Sequence, residues 1–133
     1  MSGTKDLTPD ADSTARRLIA RYCHLVDDGD FDAAGDLFAE DGRFVALGNS
    51  IEGRDSIVKM LAETGGTRTT LHQVTNIVVS NGSQQGTLHA VADVTLVAKV
   101  DGTWRPAFVG RYHDTFVGSG REARFTQRIL TAR

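Results

Sequence analysis

The chain has 133 residues, a length typical of one domain that can bury its own core. Its formal net charge of −2 argues against a nucleic-acid partner, because nucleic-acid binding requires a basic face. The sequence contains no window of about 18 apolar residues, so no membrane span is predicted. Cys23 is the single cysteine, which excludes an intrachain disulfide and suits a reducing cytoplasm.

The first predicted element is an amphipathic helix. Residues 1–12 lack the apolar segment of a signal peptide and are expected to form a flexible lead-in to a single domain at residues 13–133. Asp12 or Ser13 is expected to cap the helix, because both residue types accept hydrogen bonds from helix N–H groups. Apolar residues then recur at helical spacing until Gly29, which can adopt the left-handed conformation that closes a helix.

Two shorter helices and a strand follow. Asp30 is expected to cap a second helix. The apolar spacing predicts that this helix includes Phe38 and ends at residues 40–42. Residues 43–47 alternate as a short strand. A third helix is expected after Gly53 and is ended by Gly65 and Gly66.

From residue 71 the apolar period changes from 3.6 to 2, which indicates strands. Four are predicted, at residues 71–80, 87–100, 104–117 and 123–132. Residues 81–82 and 101–102 are Asn-Gly and Asp-Gly pairs, both typical of two-residue hairpin turns. Pro106 lies near the start of a strand, where an edge or a bulge tolerates it.

This order, α-α-β-α-β-β-β-β, predicts an α+β fold. Three N-terminal helices would pack on a strongly curved, mixed or antiparallel sheet, because strands of 12 to 14 residues must twist and coil. Such a cone encloses a hollow suited to a small ligand.

Several motifs carry a family resemblance. Tyr22 is followed by Asp-x-Gly-Asp from Asp27, then by Leu-Phe-x-x-Asp and Gly-Arg-x-x-Ile. The later motifs are His-x-x-Thr-Asn from His72 and Gly-x-Tyr-x-Asp from Gly110. Over about residues 14–130 the chain resembles the SnoaL-like proteins of the nuclear transport factor 2-like superfamily. The resemblance implies the cone fold, and the group includes polyketide cyclases, ketosteroid isomerases, dehydratases and proteins with no known reaction.

The ketosteroid isomerase pattern matches only in part. Its first-helix tyrosine corresponds to Tyr22, but its aspartate base falls at or beside Ala46, and its third position falls near Tyr112. An alanine cannot move a proton, so this mechanism is not expected here.

The pattern of scytalone dehydratase and hexachlorocyclohexane dehydrochlorinase is more similar. Its aspartate at the end of the first helix corresponds to Asp27, and its histidine on the strand after the third helix corresponds to His72. A last-strand arginine corresponds to Arg128, and a first-helix lysine falls at Tyr22. The resemblance implies that His72 is a general base oriented by Asp27, with Arg128 and Tyr22 stabilising substrate oxygens or a developing anion.

Structural interpretations of the same residues remain open. Asp27 could simply end its helix, His72 could be a strand histidine bonded to backbone, and Tyr22 could be a core residue with a wet hydroxyl. Arg128 could instead form a salt bridge with Asp114 or Asp93 across the sheet.

The remaining predictions concern the ligand. His89 and His113 lie on the face opposite the apolar one, yet either could enter the hollow of a coiled sheet. The expected ligand-binding side chains are Phe38, Phe44, Leu47, Val74, His89, Phe108 and Tyr112. No close-spaced histidine pair indicates a metal site, and no motif indicates a cofactor.

Two functions fit these features. The first is a cofactor-independent lyase, isomerase or cyclase acting on a small hydrophobic or polyketide-like molecule. The alternative is a non-catalytic module that binds a small ligand or dimerises. In either case a homodimer through the sheet is expected.

Overall fold

The computed structural model describes residues 7–65 and 69–133. In chain order the elements are α1 (Pro9–Asp27), α2 (Phe31–Gly35), β1 (Phe38–Ala46), β2 (Asn49–Glu52), α3 (Arg54–Gly65), β3 (Thr70–Asn81), β4 (Thr87–Val100), β5 (Thr103–Val117), a 3₁₀ turn (Gly120–Glu122) and β6 (Arg124–Ala132). The strands form one sheet in the order β2-β1-β6-β5-β4-β3, in which β1 and β6 are parallel and the other neighbours antiparallel. The predicted α+β fold is confirmed.

The helices cover one face of the sheet, which we call the inner face. α1 packs against β3, and α3 packs against β1 and β2. Alternate residues of β4 point to this face and are buried, among them Ala90, Ala92 and Val94, as the period of two predicts. None of the helices in the described part of the chain has the length and hydropathy of a transmembrane segment.

Helix α1 begins earlier than expected. It starts at Pro9, and the Thr8 hydroxyl accepts a hydrogen bond of 3.1 Å from the Ala11 amide. The predicted cap at Asp12 or Ser13, and a lead-in extending to residue 12, are therefore wrong. Thr-Pro is itself a helix start, because proline at the first position lacks an N–H that would be unpaired anyway. Residues 1–6 of that lead-in lie outside the described residues.

Helix α2 ends sooner than expected. It stops at Gly35, and Phe38 is the first residue of β1 rather than part of a helix. Phe38 pairs in register with Phe125 of β6, and the Phe125 amide donates to the Leu37 carbonyl over 2.8 Å. This long-range pairing overrides the local helical spacing.

Strand β2 was not predicted. It pairs antiparallel with the end of β1 through a two-residue turn at Leu47 and Gly48, whose φ angles are +51° and +88°. Leucine is unusual at positive φ, so the turn carries no sequence signal. The turn leaves Leu47 56% exposed at the end of β1.

The two predicted hairpin turns have different outcomes. Asp101 and Gly102 both have positive φ and join β4 to β5 as expected. A tight turn centred on Asn81 and Gly82 is wrong, because Asn81 still belongs to β3 and the Gly82 amide donates to the Thr87 carbonyl. Gly65 is the last described residue of α3, and the predicted end at Gly66 lies outside the described residues.

Candidate active site

Asp27 and His72 form a close pair, which we call the dyad. The Asp27 Oδ1 atom lies 2.6 Å from His72 Nδ1, and Asp27 Oδ2 accepts a 2.9 Å hydrogen bond from the His72 backbone amide. The His72 side chain is 14% exposed and that of Asp27 is 8% exposed. One carboxylate thus holds both the ring and the backbone of the histidine.

Local structure explains this position. Asp27 is the last residue of α1, and Gly29 closes the helix at a φ of +79°, as predicted. β3 is the outermost strand on its side of the sheet, so its outward amides have no neighbouring strand to pair with. The His72 amide uses Asp27 instead, which ties the end of α1 to the start of β3.

His72 lines an apolar cavity of about 410 Å³ between the inner face, α1 and α3. The lining comprises Tyr22, Val26, Phe44, Ala46, Leu47, Met60, Leu61, Thr64, Gly65, Thr70, His72, Leu96, Ala107, Phe108, Tyr112 and Leu130. Ala46, at or beside which the ketosteroid isomerase pattern would have its base, contributes to the wall and carries no proton acceptor. The volume falls in the range of small-molecule sites.

Two phenols border the cavity beside the histidine. The Tyr22 ring lies edge-on to the His72 ring, with centroids 6.2 Å apart, and Tyr112 meets Tyr22 at 6.5 Å. Burial raises the pKa of Tyr22 well above its ordinary value and that of Tyr112 to about 12. Both side chains are therefore neutral near pH 7 and available as hydrogen-bond donors.

Arg128 lies beneath these rings. Its guanidinium carbon is 3.4 Å from the Tyr112 ring centroid and 4.4 Å from that of Tyr22. Its Nε donates to Asp114 over 2.9 Å, and both side chains are fully buried. Of the interpretations left open by the sequence, the structure contains the salt bridge with Asp114, while Asp93 pairs with Arg111 at 2.7 Å.

Among the described residues, Arg128 Nη1 is the single buried side-chain polar atom without a hydrogen-bond partner. The charge of Arg128 lowers the pKa of Tyr22 and of Tyr112, which opposes the effect of burial. Arg128 does not border the cavity, so its effect on a ligand would pass through the two phenols.

Some predicted ligand-binding residues lie elsewhere. Phe44, Leu47, Phe108 and Tyr112 line the cavity. Phe38 is instead packed in the core, because its ring centroid lies 5.2 Å from that of Phe125.

Val74 and His89 also lie outside the lining, which corrects their predicted role. Val74 borders a smaller depression on the other side of His72. His89 points to the outer face of the sheet, where strand alternation puts it, and stacks on His113 at 6.1 Å. Burial and His113 lower the pKa of His89.

Several lining residues are not recognisable from the sequence as part of a cavity wall. In the sequence, Met60, Leu61 and Leu96 carry no signal beyond the apolar periods of α3 and β4. Periodicity marks a residue as inward-facing but does not separate a cavity wall from a filled core. Ala107 carries a weak signal, since it occupies the bulge next to Pro106, where Leu96 pairs with Phe108 and Val97 with Pro106.

The dyad geometry is suited to proton transfer. A carboxylate only accepts hydrogen bonds, so neutral His72 carries its proton on Nδ1 and keeps a lone pair on Nε2. Proton uptake at Nε2 would create an imidazolium that Asp27 stabilises. By contrast, burial raises the pKa of Cys23 to about 11, which suits an inert core thiol.

The comparisons with known proteins agree with this architecture. A family model described as a SnoaL-like domain matches residues 10–128. No curated protein matches the sequence at a significant level.

Solved structures share the fold. An NTF2-like protein with a cystatin-like fold from Novosphingobium aromaticivorans is 25% identical, with a TM-score of 0.81 over 91% of this chain and 80% of that one. Aln2 from a Streptomyces species is 20% identical, with a TM-score of 0.86 over 96% and 94%. A proposed scytalone dehydratase from N. aromaticivorans is 23% identical, with a TM-score of 0.78 over 92% and 83%. The last two likenesses support the fold alone.

Proposed function

The chain belongs to the SnoaL-like domain family, and on that basis we propose that it is a cofactor-independent lyase, isomerase or cyclase acting on a small hydrophobic or polyketide-like molecule. The observation that carries the proposal is the 2.6 Å contact between Asp27 and His72 at the wall of an apolar cavity. His72 is the general base, and Asp27 holds its tautomer and orientation.

The proposed first step is proton abstraction. His72 Nε2 takes a proton from a carbon or hydroxyl of the bound molecule, and the electron pair moves into an enolate or expels a leaving group. Asp27 stabilises the imidazolium, which then returns the proton to the product or the leaving group. A positioned base of this kind contributes ~10²–10⁴-fold in rate.

The phenols of Tyr22 and Tyr112 are proposed to stabilise the developing oxyanion. Each is neutral and buried, and a hydrogen bond donated in an apolar site is stronger than in water. The positive charge of Arg128 beneath the rings makes both phenols better donors, because it lowers their pKa values. Arg128 is thus proposed as a positioning and polarising residue.

The proposal is tested by an assay for proton transfer between the protein and a carbon atom of the bound molecule. A panel of cyclic β-hydroxy ketones and unsaturated ketones is incubated in D₂O, and mass spectrometry follows loss of water and deuterium uptake. We expect the wild-type protein to convert a panel member and His72→Ala to be slower by about a hundredfold or more. His24→Ala is the matched control, since His24 lies on α1 outside the cavity lining. Turnover by His72→Ala at the wild-type rate would contradict the proposal.

A non-catalytic ligand-binding module is the second candidate. The observation that favours it is the chemistry of the lining, in which Tyr22 and Tyr112 stay protonated near neutral pH and His72 is the remaining titratable group. A binder would hold panel compounds equally well in the wild-type and His72→Ala proteins, with no water loss and no deuterium uptake.

We also propose a homodimer through the outer face of the sheet. Leu71, Val78, Trp104 and Val109 are 44–65% exposed, and their register partners place them all on that face. Exposed apolar side chains that share one face of a sheet can contribute to an association surface.

Light scattering at micromolar concentration is expected to give twice the 14.4 kDa protomer mass. Val109→Arg is expected to shift the mass toward the protomer, because it introduces a charge on the outer face. Val100→Arg is the control, since Val100 is similarly exposed but lies at the end of β4 beside a turn. A wild-type mass of one protomer would remove the proposal.

A further inference from the structure

A second cleft borders a different face of α1 from the dyad cavity. It has a volume of about 570 Å³ and is bounded by α1, α2 and the connection between β5 and β6. Its lining includes Arg17, Arg21, Arg121, Arg124 and Asp36. We call it the arginine cleft. It shares no lining residue with the cavity of His72.

The cleft concentrates positive charge in a protein whose net charge is −2. Four arginines and one acidic residue, Asp36, give its lining a formal charge of +3. Arg17 and Arg21 are one helical turn apart, a spacing at which like charges repel. Local stability therefore does not explain why both are arginine.

Three of these four arginine side chains have no polar partner in the described part of the protein. In the described part of the chain, the side chains of Arg17, Arg21 and Arg121 make no hydrogen bond or ion pair. Neighbouring Arg16, by contrast, pairs with Asp12 at 2.9 Å. Arg124 donates to the carbonyls of Arg121 and Ala123, which holds its guanidinium at the cleft.

The floor of the cleft is apolar, and a hydrogen bond links two of the segments that surround it. Leu18, Leu37 and Ala123 are at most 7% exposed. The Gly120 amide donates to the Thr14 hydroxyl over 3.3 Å, which ties the β5–β6 connection to α1. The cleft thus combines an apolar base with cations at its rim.

We propose that the arginine cleft is a second binding site, for a small organic diphosphate. Guanidinium groups bind phosphoryl oxygens in paired hydrogen bonds, and a diphosphate carries about three negative charges to match the lining. The apolar floor accommodates a hydrocarbon group on that diphosphate. The volume suits a small molecule rather than a single inorganic ion.

The test is calorimetric titration at physiological salt with two probes, inorganic pyrophosphate and dimethylallyl diphosphate. We expect both to bind, the alkyl diphosphate more tightly because it covers the floor. Arg17→Gln and Arg21→Gln should each weaken binding about tenfold. Both residues are exposed, so the variants are expected to fold, which circular dichroism checks.

Two control variants separate this site from general electrostatics and from the dyad cavity. Arg105→Gln removes the same charge from an exposed position on β5 and should change affinity less than about twofold. His72→Ala should leave diphosphate affinity unchanged. The proposal is overturned if neither probe binds at millimolar concentration or if Arg105→Gln weakens binding as much as Arg17→Gln. Tighter binding of a polyglutamate peptide than of either diphosphate would instead indicate an acidic protein partner and would also overturn it.

Discussion

Asp27→Asn is expected to lower turnover by ~10²–10⁴-fold while leaving ligand affinity nearly unchanged. The asparagine carbonyl can still accept from the His72 amide, so the link between α1 and β3 survives. Its NH₂ group, however, would donate to Nδ1, which shifts the His72 proton to Nε2. The nitrogen that should accept the substrate proton is then already protonated, so the loss appears in kcat.

This prediction has a spectroscopic readout beside the kinetic one. ¹⁵N NMR of the imidazole should report the Nδ1-protonated tautomer in the wild-type protein and the Nε2-protonated tautomer in Asp27→Asn. Asp28→Asn is the matched control, because Asp28 is exposed and adjacent, whereas the carboxylate that bonds to His72 is that of Asp27. An Asp27→Asn protein with wild-type kcat, or with an unchanged tautomer, would mean that Asp27 only ends its helix.

Asp114→Asn is expected to destabilise the fold by about 3–5 kcal/mol, because it leaves the fully buried charge of Arg128 without a counterion. An arginine cannot be neutralised by losing a proton within the pH range of folded proteins. Urea denaturation followed by circular dichroism measures the loss. Asp93→Asn at the partly exposed pair with Arg111 is the control and should cost far less.

The reciprocal variant, Arg128→Met, should lose stability in a pH-dependent way. Burial raises the pKa of Asp114 to about 6, and Arg128 opposes that rise, so removing Arg128 raises the pKa further. The folded carboxyl then binds a proton at a higher pH than its unfolded value of about 4. Stability is therefore retained at low pH and lost as the pH rises through the folded pKa.

Above about pH 6, the folded pKa of Asp114 in the wild-type protein, Arg128→Met should thus progressively lose stability relative to wild type, whereas the deficit of Asp114→Asn should stay constant. The double variant Asp114→Leu, Arg128→Met removes both charges and should recover most of the loss. Equal stability of Asp114→Asn and Asp93→Asn would contradict the importance of the buried pair.

The sequence was sufficient to predict the three helices, the four long C-terminal strands and the two partners of the dyad, but not the short strand β2. Asp30, Gly29 and the Asp101-Gly102 turn are local signals, because capping and turn formation depend on a few adjacent residues. The family motifs identified Asp27 and His72, which lie 45 positions apart and meet at 2.6 Å.

The contacts between residues on different strands depend on the tertiary structure. Phe38 becomes a strand residue because β6 pairs with it, and Arg128 joins Asp114 because the register of β5 and β6 places them opposite each other. The local spacing of apolar residues predicts neither of these pairings, because the register of a sheet is selected by contacts between distant segments.

The shapes of the cavity and of the arginine cleft were likewise decided by packing. Arg17 and Arg21 lie on the exposed face of α1, and they border a cleft only because α2 and the β5–β6 connection lie beside α1. A hydrophobic period specifies which side of an element faces inward. Whether that side meets another side chain or an empty space depends on the whole fold, because the empty space is what all the neighbouring elements leave unfilled.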